Sequence, residues 1–158
     1  MTASAVRLRP VTERDRDFLV GVYGSTREDE LASVDWPEGA MEAFVRLQFD
    51  AQDRSYRAQN PHGCFDVVEV DGIDAGRMYV DRRPAEIRLV DISLLPQFRS
   101  RGIGGDLVTR LTDEAAATGR MVSMHVEIHN RAALLYARLG FEVVAERGPY
   151  RRMEWRGR

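Results

Sequence analysis

The sequence predicts a single mixed α/β domain over residues 1–158, a central and mostly antiparallel mixed sheet flanked by helices, and three observations predict it. The first is Asp71-Gly72, a strong two-residue hairpin signal between two strand-like runs. The second is a strand, turn and helix between Ile87 and Gly119. The third is the alternation of Val122, Met124, Val126 and Ile128 with Ser123, His125, Glu127 and His129, which makes a strand directly after that helix. A connection that contains a helix joins parallel strands, so a parallel βαβ pair lies at the core of the sheet.

The elements follow in order. Val6 to Arg9 is a short strand closed by Pro10. Thr12 caps a helix, with Asp15 placed to complete a capping-box-like pair and Phe18, Leu19, Val22 and Tyr23 as the inner stripe. Gly24 to Pro37 reads as a polar, acidic loop containing Trp36. Met41, Phe44, Val45, Phe49 and Tyr56 mark a second helix that stops before Asn60-Pro61. Phe65–Val70, Ile73–Val80 and Ile87–Leu95 form an antiparallel meander. The helix up to Gly119 carries Ile103, Leu107, Val108, Leu111 and Ala115 on one face. Asn130 caps a later helix whose Ala133, Leu134 and Ala137 are expected to face inward, with Leu139-Gly140 ending it. Phe141–Glu146 and Tyr150–Trp155 are the last two strands, turning at Gly148-Pro149.

Composition excludes several classes. The chain has 158 residues, 44% hydrophobic and 30% charged, with a net charge of -2, which argues against a general nucleic-acid binder. No stretch approaches the roughly 20 apolar residues of a membrane helix, and the N-terminus lacks a signal-peptide core, so the expected location is cytoplasmic, without a membrane partner. The one cysteine, Cys64, rules out an internal disulfide and any multi-cysteine zinc site; its neighbours Phe65, Val67 and Val68 suggest a buried hydrophobe rather than a nucleophile. No metal site is expected: at about 3.3 Å of rise per strand residue, His125 and His129 lie too far apart to share one ion with Glu127.

The turn from Arg99 to Gly105 attracts most attention. A helix start leaves backbone N–H groups unpaired and carries a positive dipole end, and Gly102, Gly104 and Gly105 remove the side chains that would hold a ligand away. Arg99 and Arg101 add charge. A phosphate or pyrophosphate cradle and an ordinary strand-to-helix turn both fit this pattern. Leu107 stands where a Rossmann fingerprint wants its third glycine, and no Gly-Lys-Ser/Thr of a P-loop occurs.

Two segments together carry a resemblance. Leu-Pro-Gln-Phe-Arg-Ser-Arg-Gly-Ile-Gly-Gly-Asp-Leu, followed at the right separation by Val-Glu-Ile-His-Asn-Arg-Ala-Ala-Leu-Leu-Tyr-Ala-Arg-Leu-Gly-Phe, closely resembles the acyl-CoA-binding half of the GNAT superfamily of N-acetyltransferases. The resemblance implies a GNAT-like acyl-CoA N-acyltransferase fold and acetyl-CoA as cofactor. Arg99, Ser100, Arg101, Gly102, Ile103, Gly104 and Gly105 would hold the pyrophosphate. Ile92, Ser93 and Leu94 would lie where the strand splays from its neighbour and pairs with the pantetheine arm. Asn130 would contact that arm, and Tyr136 would stand near the thioester sulfur.

The implied activity is direct transfer of the acetyl group to a primary amine. Charge develops on the acetyl oxygen and on the departing sulfur, so main-chain donors suit the first and Tyr136, as acid, the second. Spacing alone favours a core tyrosine at 136, and the surrounding resemblance reverses that preference. An alkylamine must lose a proton before it attacks, and Glu127 is the candidate base, with a structural glutamate as the other reading; Asp91, a carboxylate inside an apolar strand, is the second candidate. A non-catalytic acyl-CoA sensor of the same fold is the alternative function. The acceptor would be a small-molecule or peptide amine, and the acidic residues of Gly24–Pro37 with Trp36 would suit a cationic one. An edge strand near the C-terminus could support a homodimer.

Overall fold

A computed structural model describes residues 5–157. The chain forms β1 (Val6–Pro10), a 3-10 turn (Glu13–Asp15), α1 (Arg16–Ser25), α2 (Glu28–Ala32), α3 (Ala40–Gln59), β2 (Cys64–Val70), β3 (Ile73–Arg82) and β4 (Glu86–Leu94). A second 3-10 turn (Pro96–Phe98) then leads to α4 (Ile103–Thr118), β5 (Met121–Glu127), α5 (Ala132–Arg138), β6 (Glu142–Arg147) and β7 (Tyr150–Trp155). The seven strands make one mixed sheet in the order β1-β2-β3-β4-β5-β7-β6, with β4 and β5 as its parallel pair. The expected mixed α/β class is the observed one. No helix among the described residues is long and apolar enough to cross a membrane.

The chain divides into two compact units. The first runs to Met78 and includes Ser93–Phe98. Here β1 pairs antiparallel with β2 from Val6↔Val70 to Pro10↔Asp66. Leu19, Val20 and Tyr23 of α1, Leu31 of α2, and Val45 and Phe49 of α3 form one buried cluster. Asp15 is fixed from three directions: Arg9 donates to its two oxygens at 2.9 and 2.8 Å and the Thr12 backbone N–H at 2.7 Å. The Asp71-Gly72 hairpin has φ of 52° and 80°, the left-handed pair that a two-residue turn of this kind requires.

Two expectations in this unit need correction. Gly24–Pro37 is not all loop: α1 continues to Ser25, and Glu28–Ala32 is helical. Buried Leu31 anchors that short helix, and Glu28, Asp29 and Glu30 in its first turn complement the helix dipole. Cys64 is exposed, because it opens β2 ahead of the fully buried Val67 and Val68.

The second unit comprises Tyr79–Ile92 and the chain from Arg99 onward. Helix α4 buries Ile103, Leu107, Val108, Leu111 and Ala115, the expected stripe, and ends at Gly119 in the left-handed conformation at φ 68°. It packs on β5, whose Val122, Met124 and Val126 are buried. Glu114 on α4 receives two hydrogen bonds from Arg82, at 2.6 and 2.9 Å. β7 lies between β5 and β6, so the edge strand is β6 rather than the last strand of the chain.

The inward face of α5 also differs from expectation. Leu134 is 72% exposed and Ala137 is exposed, whereas Tyr136 is buried and Leu135 and Leu139 half-buried. The packing of Leu135 toward α4 and of Tyr136 beside Phe141 selects this face.

Candidate active site

The turn before α4 is built from two left-handed residues, Ser100 at φ 60° and Gly102 at φ 79°. They swing the chain into the helix, whose ladder begins where the Asp106 N–H donates to the Gly102 carbonyl at 3.0 Å. The N–H groups of Ile103, Gly104 and Gly105 therefore belong to the first turn, ahead of the intrahelical ladder. A Cβ at Gly102 or Gly104 would meet no heavy atom within 4 Å, so these glycines border open space. At Gly105 a Cβ would rest 3.5 Å from Leu135 Cδ1, so that glycine brings α5 close to the turn. The Ile103 side chain is buried, and Arg99, Ser100 and Arg101 are exposed. An open glycine cradle at the start of a 16-residue helix, flanked by two arginines, fits a pyrophosphate.

Asn130 ties the end of β5 to α5. Its backbone N–H donates to the Glu127 carbonyl, and its Oδ1 accepts from the Ala132 N–H, both at 2.9 Å. The expected side-chain cap is present, from a residue two positions ahead of Ala132, where the helix opens, and one ahead of the cap position at Arg131. Tyr136 then turns inward, its ring 6.0 Å from that of Phe141. Burial, and secondarily the negative charge of Asp91, push its hydroxyl up to about 12. A group so placed stays protonated at neutral pH and keeps a proton to donate. Asp91 falls in step with Ile87 and Leu89, both buried, along one face of β4.

Glu127 is the last residue of β5, half-buried, and sits opposite Tyr150 of β7. Ser123 and His125 precede it on the same face. Arg88 donates to Ser123 Oγ at 3.4 Å and contacts His125 Nδ1, and Arg152 donates to Glu154 at 2.9 Å and Glu86 at 3.3 Å. Burial first, then Arg88, Arg152 and Arg147, hold the His125 imidazole below its ordinary range. The nearby arginines thus oppose a positive charge on His125.

The parallel ladder between β4 and β5 runs only from Glu86↔Met121 to Arg88↔Ser123. Both strands continue beyond it, β4 to Leu94 and β5 to Glu127, and β7 pairs with β5 along its other edge from Val122 to Glu127. Ile92 lies on this continuation of β4, half-buried. In the first unit, Ser93 and Leu94 lie against Gly76 of β3: a Cβ there would come 2.1 Å from the Ser93 carbonyl oxygen and 2.9 Å from Leu94 Cα. Sequence reasoning passed over Gly76. Its signal was a lone glycine inside a strand, which marks close backbone approach.

These features make a mixed α/β fold with an open glycine turn ahead of α4. The acetyltransferase (GNAT) domain model matches residues 61–143, more than half of the chain, and the protein belongs to this family, whose acyl donor is acetyl-CoA. A search of curated proteins by sequence finds no match. Among solved structures, the PaiA N-acetyltransferase from Thermoplasma acidophilum in complex with coenzyme A is similar at 18% identity and a TM-score of 0.70, over 97% of this chain and 99% of that one. An acetyltransferase from Thermus thermophilus gives 18% and 0.67, over 94% and 95%. The ribosomal-protein-S18-alanine N-acetyltransferase from Escherichia coli gives 16% and 0.63, over 96% and 93%. At these identities the likeness is one of fold.

Proposed function

We propose that this protein transfers the acetyl group of acetyl-CoA directly to a primary amine. The observation that carries the reading is the early end of the β4–β5 ladder at Arg88 and Ser123, in a chain whose helix α4, after β4, opens on a glycine turn bordering open space. Acetyl-CoA supplies an acetyl group already activated as a thioester. The N–H groups of Ile103, Gly104 and Gly105, with Arg99 and Arg101 alongside, bind its pyrophosphate, and Ser100 and Gly102 shape the turn that presents them. The Ile92 backbone and the Asn130 side chain hold the pantetheine arm, with Ser93 and Leu94 continuing the same strand.

Tyr136 donates toward the departing sulfur. With a thiol near 8.5 and Tyr136 at about 12, complete proton transfer is uphill by about 5 kcal/mol, so the useful contribution is a hydrogen bond that strengthens as charge grows. Glu127 takes the proton of an amine that, near 10.4, is mostly protonated at neutral pH. Cys64 opens β2 in the first unit, and the transfer needs no acyl carrier.

A panel of primary amines assayed for acetyl-CoA consumption tests the reading. Tyr136→Phe is expected to lower kcat about 100-fold with KM for acetyl-CoA unchanged, and Glu127→Gln to lower kcat by a comparable factor that shrinks as pH rises. Equal kcat in Tyr136→Phe would remove it from the reaction. Acetyl-CoA binding without transfer to any amine would favour the sensor function instead.

A further inference from the structure

The first unit holds a cavity of about 350 Å³ beside α2, within the range of small-molecule sites. Three aromatic rings wall it: Tyr23 of α1, Trp36 beyond α2 and Phe44 of α3. The Trp36 and Phe44 rings lie 5.2 Å apart, and the Trp36 N–H donates to the Leu31 carbonyl at 2.8 Å, so the indole presents an apolar wall. Its polar groups are Arg27, Glu30 and Gln48. The Arg27 guanidinium stands 5.7 Å over the Tyr23 ring, with Nη1 3.2 Å from Glu30 Oε1. The cavity thus already holds a cation of the chain's own, between a ring face and a carboxylate. Glu28, Asp29, Asp35 and Glu38 make the surrounding segment acidic.

We propose that this cavity binds an organic cation with a compact aromatic body, an arylalkylammonium, whose charge takes the place that Arg27 occupies between Tyr23 and Glu30. Ring faces attract a cation through their quadrupole, and the carboxylate adds charge complementarity. The aromatic body packs against Trp36 and Phe44. An anionic ligand would meet Glu30 and the acids around it, while Arg27 is already paired. The site lies within one unit and stands independently of the acetyl-transfer reading.

Calorimetric titration of the full chain with phenethyltrimethylammonium tests it, alongside 2-phenylethanol and 3-phenylpropionate as neutral and anionic counterparts. The probe carries permanent charge and no transferable proton, so binding is read without acetyl-CoA and apart from turnover. The cation is expected to bind at least about fivefold more tightly than either counterpart. Glu30→Gln should weaken it by about fivefold, and Arg27→Ala should tighten it, because it vacates the cation's place. Quenching of tryptophan fluorescence on binding should disappear in Trp36→Phe. No binding to folded protein, equal or tighter binding of the alcohol or carboxylate, or weaker cation binding in Arg27→Ala would overturn the proposal.

Discussion

Tyr136 owes its chemistry to two neighbours of different kinds, the apolar surroundings of α5 and the charge of Asp91. Both oppose the phenolate. Replacing Asp91 by Asn removes only the second, so the Tyr136 pKa should fall from about 12 toward the ordinary 10, read as the tyrosinate signal lost in Tyr136→Phe. An unchanged titration would mean that Asp91 does not act on this hydroxyl. The folded-state value is raised, so its share of stability is intact below pH 10 and is lost as pH climbs toward 12. Asp15 behaves oppositely. Its carboxyl is lowered from 3.8 to about 2, chiefly by the Arg9 hydrogen bonds, so that stability is present above about pH 4 and lost as pH falls toward 2. Asp15→Asn should cost about 2 kcal/mol at pH 7 and flatten this acid limb in urea denaturation. Gly76→Ala tests backbone approach: with Ser93 O 2.1 Å from the new Cβ, a strand must shift, at a cost of about 3 kcal/mol.

At the scale of elements, the turn and α4 separate binding from folding. Gly104 sits inside the first helical turn with open space beyond it, so a side chain there does not burden the fold, and under the proposed function it would burden the ligand. Gly104→Ala should raise stability by up to about 1 kcal/mol, whereas Gly102→Ala, at φ 79°, should lower it by about as much in thermal unfolding. Helix α4 was legible in the sequence because Ile103, Leu107, Leu111 and Ala115 share one period and Gly119 stops it. The β2–β3 turn was legible because Asp71-Gly72 states its own dihedral angles. Helix α2 was not, since five residues with one buried leucine carry no period. The buried face of α5 was ambiguous in principle: Leu134 and Leu135 are equally apolar neighbours, and packing near Gly105 and beside Phe141 favours Leu135 and Tyr136. Asp91 and Tyr136 lie on different elements, so their coupling has no local signature at all.

Across the whole molecule, the family model covers 61–143, which takes in β2 to β5, α4 and α5 but none of the helices that wall the cavity by Trp36. The family match and the proposed cation site thus fall in different parts of the chain. The family was readable because the glycines and arginines of 99–105 and the segment from Val126 to Phe141 fall at motif spacing. The cavity was readable only as acidity near Trp36, because Tyr23, Trp36 and Phe44 come together through packing. Acetyl-CoA binding by the glycine turn at the start of α4, as proposed, is tested by calorimetric titration of wild type and Gly104→Glu with acetyl-CoA, NAD and ATP. The prediction is selective acetyl-CoA binding to wild type, weakened at least about 100-fold in a variant that remains folded. No acetyl-CoA binding to folded wild type, or equal affinity in Gly104→Glu, would contradict it.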